Sequence, residues 1–435
     1  MNSLIELNKM GLCQMLQAIE SGSCDTEALI NTCFDRIDVR ELEVGAWHIK
    51  RTREEYLSEY RGNKSFYDQS LLKGLPFGVK DIIDTEEMMT EMGSPIHIGR
   101  QPVEDASCVA LIRAAGGIVL GKTVTTEFAY FKPGKTKNPA DLERTPGGSS
   151  SGSAAAIADS MVPMALGSQT AASVIRPAAY CGAIGYVGSR GEFSLRGGQP
   201  LAQSLDSLGL LARRVEDIQL LRAVLLRQSA SIYNHQSTAP KCVLVCHGES
   251  VGETSAAMKK AMDNAIEILK SQGVKVIELD AGGRIKDMVN HHINIMSWEV
   301  CRNLAIESFH KEKLSEPLAA LMEQGLSMDR KDYVTSLDAT QVCLGWLWSY
   351  ASEVDVILAP SAPDIAPLGH DATGAPHMSR PWQAMGLPVI NVPGMKDQND
   401  VPLGLQLIGK VRDDDMLLEY ANWMMPLINL KEFKD

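Results

Sequence analysis

The residues best suited to chemistry are serines packed among small neighbours. Residues 146–182 read PGGSSSGSAAAIADSMVPMALGSQTAASVIRPAAYCG, dense in serine, glycine and alanine and charged only at Asp159 and Arg176. Small residues let backbone come close to backbone or to a ligand. A serine hydroxyl is a weak nucleophile until a base takes its proton. None of the nine histidines falls near this stretch of sequence. A lysine can serve instead, provided burial leaves it neutral. Lys80 ends the apolar run LPFGVK, although on local sequence alone it reads first as a strand-end side chain reaching solvent. Arg176 keeps its charge in any environment, so its burial calls for a carboxylate, and a structural ion pair is expected there.

Three runs decide between these readings. GLPFGVKD (74–81), PGGSSSGSAAA (146–156) and GSQTAASVIRPAAYCG (167–182) resemble, in that order, the amidase signature family of serine hydrolases. The segments DASCVALIRAAGGIVLGKTVTTEF (105–128), NPADLERTPGG (138–148), GLPVINVPG (386–394) and PLGLQLIG (402–409) are similar as well. The resemblance implies a Ser–cis-Ser–Lys triad. Lys80 falls on the family lysine, Ser149 on the bridging serine whose preceding peptide is cis, and Ser173 on the nucleophile. It also implies an oxyanion hole of backbone N–H groups from Thr170, Ala171, Ala172 and Ser173, and a reaction without metal or cofactor. Trp382 and Met385 fall where the family places pocket-lining residues, with core packing as their other reading. Ser150 is a further candidate for substrate contact; otherwise Ser150, Ser151 and Ser153 tie down the loop and cap the next helix. Pocket walls are expected from 125–135, 190–205 and 295–385.

One position departs from the family pattern. Ala172 stands where glycine usually precedes the nucleophile. If that position needs positive φ, alanine strains it. If it needs clearance, the methyl narrows the oxyanion hole or the acyl pocket. The activity implied is hydrolysis of a small carboxamide, or a related urea or carbamate, through an acyl-enzyme on Ser173. Two alternatives stand beside it: a glutaminase-like A subunit of a tRNA-dependent amidotransferase, and a catalytically impaired relative that only binds.

These groups need elements to position them. Apolar spacing from Leu4 to Ile19 predicts a helix, and Asp25 or Thr26 caps a second one carrying Leu29, Ile30, Cys33 and Ile37. Residues 51–60 read as a charged surface helix. A strand at 75–84, a helix at 105–115 and a strand between Gly117 and Thr123 form an α/β rhythm. The rhythm returns with strands at 242–248 and 274–279 around a helix at 255–273. Residues 292–350 read as mostly helical, with strands at 354–363, 387–394 and 403–409 and a closing helix at 413–424. The expected fold is one large α/β domain over 1–435, a mixed twisted sheet covered by helices on both faces. Residues 1–65 form a helical segment packed on a core of 66–435.

Composition narrows the classes. The chain has 435 residues and a net charge of −12, which argues against a basic nucleic-acid face and against docking on anionic membranes. Nine scattered cysteines without a CxxC pair point to a reducing, cytoplasmic setting. No secretory signal is evident at the start, and no apolar run approaches the ~18 residues of a membrane span. The partner expected is therefore a small-molecule amide without nucleic acid or membrane, with a homodimer left open. Gly116-x4-Gly121-Lys122-Thr123 matches a phosphate-loop pattern. A helix precedes it, however, and Ile118-Val119-Leu120 fill it like a strand, so nucleotide binding is not expected.

Overall fold

The computed structural model describes residues 7–429; Leu4, the first residue of the predicted helical run, lies outside them. The strands are β1 (Trp47–Lys50), β2 (Pro76–Lys80), β3 (Ile118–Thr123), β4 (Met164–Gln169), β5 (Ile184–Val187), β6 (Ser207–Ala212), β7 (Cys242–Val245), β8 (Lys275–Glu278), β9 (Val356–Pro360), β10 (Val389–Lys396) and β11 (Pro402–Ile408). They form one mixed sheet ordered β1-β3-β2-β4-β6-β5-β10-β11-β9-β7-β8. This is the single α/β domain expected.

Helices cover both faces of the sheet because its strands are apolar on both. Phe77, Val79 and Val119 point into one core, Ile118 and Leu120 into the other. The same alternation splits Met164 and Leu166 from Ala165, as the two-residue side-chain period requires. On the first face lie the helices Leu12–Glu20, Ser107–Ala114, Val215–Leu225 and Asp414–Asn429; on the second lie Thr26–Val44, Ser151–Ala158 and Ile175–Cys181. Asp25 is the cap of the helix Thr26–Val44 and accepts the Ala28 N–H at 2.7 Å.

The N-terminal segment is not purely helical. Trp47–Lys50 pairs antiparallel with β3 and makes one edge of the sheet. Its four residues are too few for a periodic signal, and the partner strand decides their conformation. Sequence periodicity also passed over β4, β5 and β6. They are buried on both faces and rich in glycine and serine, so they show no polar alternation.

Two parallel neighbours set up the chemistry. β2 and β4 run side by side, with Val79 opposite Leu166, so both deliver their carboxyl ends to the same edge. β2 ends at Lys80 and β4 at Gln169. Beyond β4 a short turn, residues 170–174, leads into the helix Ile175–Cys181. Such carboxyl edges are where open α/β sheets hold their ligands.

Lys122, in the phosphate-loop look-alike, is buried inside β3. Its ammonium donates to the Ile83 carbonyl at 2.7 Å and to Thr90 Oγ1 at 2.5 Å, and lies 3.6 Å from the Asp81 carboxylate. It is a structural cation, with no free amine left for a phosphate. Lys122→Met should destabilise the protein by about 3–5 kcal/mol in urea unfolding, because Asp81 stays buried without its counter-charge. ATP should leave the Tm of the wild-type protein unchanged; a clear ATP-dependent rise would restore the nucleotide reading.

Candidate active site

Lys80 is fully buried. Its Nζ lies 2.6 Å from Ser149 Oγ, 2.9 Å from Ser168 Oγ and 3.3 Å from the Ser168 carbonyl oxygen. All three partners are neutral. Burial holds the Lys80 pKa well below the ordinary lysine value, and the Asp206 carboxylate opposes this only in part. Asp206 is itself a weak counter-ion. Burial pushes its pKa up to about 7, although it accepts hydrogen bonds from Thr170 Oγ1 at 2.6 Å, Leu201 N at 2.9 Å and Ala202 N at 3.0 Å. Lys80 is thus placed to act as a free amine facing a serine hydroxyl.

Ser149 sits on a tightly held loop. The Gly148–Ser149 peptide is cis. Gly147 has φ +78°, and a Cβ there would come within 3.1 Å of Pro177 Cα, so the loop lies directly against the following helix. Arg176, from that helix, donates to the Gly148 carbonyl at 2.7 Å, to Thr373 Oγ1 at 3.1 Å and to the Gly374 carbonyl. Among the described residues Arg176 makes no ion pair, against expectation. Neutral oxygens accept from its Nη1 and Nη2 while Nε is buried without a partner, the Phe131 ring lies 5.9 Å from its guanidinium carbon, and burial lowers its pKa to about 10.

Ser173 lies on the turn after β4, 6% exposed, and its carbonyl accepts the Ser150 N–H at 3.1 Å. The turn is organised by a residue that motif reading passed over. Gln169 Oε1 accepts the N–H groups of Val174 at 3.0 Å and Ile175 at 3.1 Å. Gln383 fixes the Gln169 amide in turn, its Oε1 accepting from Gln169 Nε2 at 2.9 Å. The N–H groups of Ala171, Ala172 and Ser173 donate to no protein acceptor among the described residues. They are therefore available to an oxyanion. His292 comes from 122 residues away, with its Nε2 2.7 Å from the Thr170 carbonyl oxygen. Burial keeps it neutral, well below its ordinary pKa.

Ala172 is tolerated. Left-handed non-glycine backbone occurs at nine described positions, and Ala172 is not among them. The strain that alanine would bring at positive φ does not arise; its methyl acts instead on clearance in the cavity it lines.

Ser149, Thr170, Ala171, Ala172 and Ser173 share one cavity of about 340 Å³. Its other walls come from Thr126, Ala129–Phe131, Arg176, Leu201, Met296, Thr373, Pro376 and Arg380; all of these except Arg176 lie in the segments expected. A larger recess of about 790 Å³ adjoins it behind Thr170 and includes Ser168 and Asp206. Three expected contacts fall elsewhere. Trp382 and Met385 pack in the second core, off the cavity wall, because their helix turns Arg380 toward the site instead. Ser150 Oγ is engaged with the Ser168 backbone, donating to its carbonyl at 3.2 Å. Among the described residues no cluster of His, Cys, Asp or Glu could hold a metal ion, and no helix is long and apolar enough to cross a membrane.

A family model described as Amidase matches residues 28–418. The A subunit of the glutamyl-tRNA(Gln) amidotransferase of Lysinibacillus sphaericus is 30% identical, the match covering 94% of each chain. The protein of the same name from Natranaerobius thermophilus is 27% identical over 96% of this chain and 95% of its own. A solved amidase structure superposes with TM-score 0.85 at 25% identity, covering 96% of this chain and 99% of that one. The curated relatives overturn one expectation, that of a small-molecule partner alone without nucleic acid. Their name describes one subunit of a larger enzyme, an amidotransferase of a glutamyl-tRNA. Net charge, from which that expectation came, averages the whole surface and is blind to what a neighbouring subunit holds.

Gln169 makes a specific demand on the turn. Gln169→Ala frees the Val174 and Ile175 N–H groups to compete for the positions next to Ser173. The rate of Ser173 labelling by a fluorophosphonate should fall about 10²-fold, with the label still on Ser173. An unchanged rate would show that the turn holds its shape without that amide.

Proposed function

The chain belongs to the amidase family, and from that premise we propose that it cleaves a carboxamide through an acyl-enzyme on Ser173, as the amide-cleaving subunit of an amidotransferase-type assembly. The observation that carries this reading is the 2.6 Å approach of the buried Lys80 amine to Ser149 Oγ, at the cavity that Ser173 also lines. The relatives' name supports the assembly, and nine unpaired cysteines, eight of them buried, support a reducing, cytoplasmic setting.

The steps follow from the groups present. The Ser149 hydroxyl gives its proton to the Lys80 lone pair and takes one from Ser173. The Ser173 oxygen bonds to the amide carbon, and the carbonyl oxygen becomes an oxyanion facing the free N–H groups of 171–173. One such donor typically contributes about 2.7–4 kcal/mol to the barrier reduction. The C–N bond then breaks as the proton returns through Ser149 to the leaving nitrogen. Water, activated by the same relay, cleaves the ester and restores Ser173. Asp206, titrating near neutrality, leaves Lys80 free to shed its proton, since a fully ionised carboxylate would hold it as ammonium.

Ser173→Ala should abolish fluorophosphonate labelling, and Lys80→Ala should lower kcat by about 10²–10⁴-fold. In wild-type protein kcat/KM should rise with pH as Lys80 loses its proton. That limb should lie below the ordinary lysine value of about 10.4 and be missing in Lys80→Ala. Ammonia release from L-glutamine and co-purification with other subunits from the native host test the assembly. Amide turnover by a chain that purifies alone, with no response to L-glutamine, would leave the hydrolase and remove the assembly.

A further inference from the structure

Thr170 stands between β4 and the nucleophile, where no strand or helix ladder holds the backbone. Two side chains from elsewhere in the chain hold it instead. Thr170 Oγ1 donates to Asp206 at 2.6 Å, and the Thr170 carbonyl oxygen lies 2.7 Å from His292 Nε2. A carbonyl oxygen can only accept, so Nε2 carries the proton and Nδ1 the lone pair. Nδ1 is buried without a partner, and the whole residue is out of water. Burial first, and then the charge of Arg380, keep the imidazole neutral. The ring therefore offers a single N–H, and this carbonyl takes it.

That bond fixes more than the carbonyl. The Thr170–Ala171 peptide is trans, and in a planar trans peptide the C=O and the following N–H point in opposite directions. His292 lies off the cavity that Ala171 lines. With the carbonyl turned to His292, the Ala171 N–H is turned the other way, where it meets no protein acceptor. The helix Arg284–Asn303, which carries His292, reaches the site at two further points. Met296, four residues on, lines the cavity. Glu299, three beyond that, accepts the Ser204 N–H at 2.8 Å and the Tyr333 hydroxyl at 2.8 Å. Positions 292, 296 and 299 share one helix face, so a rigid element delivers the imidazole.

We propose that His292 is a positioning residue of the oxyanion hole: by holding the Thr170 carbonyl it aims the Ala171 N–H at the oxyanion that forms when Ser173 attacks. The inference rests on amide cleavage at Ser173 and adds to it a residue 122 positions away. Without this donor the Thr170 carbonyl is left buried and unpaired, which is costly. Rotating the Thr170–Ala171 peptide relieves that cost, and the same rotation takes the Ala171 N–H off its target. Charge on the substrate oxygen develops only in the transition state. Misaiming the donor therefore slows the reaction and leaves substrate binding nearly intact.

The test compares wild-type protein with His292→Phe, which keeps a ring but no donor, and His292→Gln, whose amide nitrogen can reach the same carbonyl. Steady-state rates are measured on whichever of L-glutamine, butyramide and benzamide the wild-type protein cleaves fastest. Ser173 labelling by a fluorophosphonate is timed on the same samples, well below each Tm. His292→Phe should lower both kcat and the labelling rate by about 10- to 10²-fold, less than outright loss of a donor because the N–H is misaimed rather than removed. KM should stay within about threefold, and His292→Gln should recover part of the loss. The Lys80 limb of the pH profile should persist in both variants, since His292 moves no proton. If His292→Phe does not fold, His292→Asn takes its place, its shorter amide stopping short of the carbonyl. Unchanged kcat and labelling, a loss carried by KM alone, equal losses in the Phe and Gln variants, or disappearance of the Lys80 limb would overturn the inference. Failure of the underlying reading looks different: wild-type protein then shows neither Ser173 labelling nor turnover of any amide, and the inference falls with it.

Discussion

A lysine amine taken wholly out of water is the constraint on which the site depends. Lys80 has no carboxylate within hydrogen-bond reach; its partners are two serine hydroxyls and a carbonyl. In that setting the charged form is disfavoured. The surrounding fold supplies the burial. β2 lies between β3 and β4 in the sheet, so its last residue cannot turn outward as a lysine at an edge strand could. The acid whose charge acts on Lys80, Asp206, is tied by Thr170 and two backbone N–H groups, and burial pushes its pKa up to about 7.

Precision at Ser149 and Ser173 comes mostly from groups that touch no substrate. Arg176 ties the carbonyl of Gly148 to the strand-following helix and to the segment around Thr373. Gln169 fills the first N–H groups of that helix and leaves those of the preceding turn open to the cavity. Gln383 and His292, from distant parts of the chain, brace Gln169 and Thr170. The close approach of these pieces explains the small residues. A Cβ at Gly152 would collide with the Ala46 carbonyl oxygen, and one at Gly147 would press on Pro177.

The residues carried by the family motifs and those from the rest of the chain occupy different walls of one cavity. Ser149, Ser173 and the open N–H groups form one side, with Lys80 behind Ser149. Arg380, Met296 and Thr373 form the other, and they come from the part of the sequence where family resemblance is weakest. Relatives at 27–30% identity therefore inform the reaction more firmly than the molecule that undergoes it. Ala172 belongs to the shared side, and its ordinary backbone conformation lets a methyl replace hydrogen without strain.

Lys80, Ser149 and Ser173 were legible in the sequence as candidates because each sits in a short local motif, and the α/β alternation was legible because most strands and helices carry their own periodicity. The strands β4, β5 and β6 were not, since burial on both faces removes the polar alternation that marks a strand. Contacts made over long separations were also invisible. Nothing near Arg176 in sequence shows that carbonyls rather than a carboxylate would receive it, and nothing near Arg380 shows that it would turn into the cavity while Trp382 and Met385 turned into the core. Which face of a short helix meets a cavity is decided by how that helix packs on the rest of the molecule. The sequence by itself determined the class of fold and the candidate reactive groups; only the tertiary structure decided their burial, and burial is what holds the Lys80 amine well below its ordinary pKa.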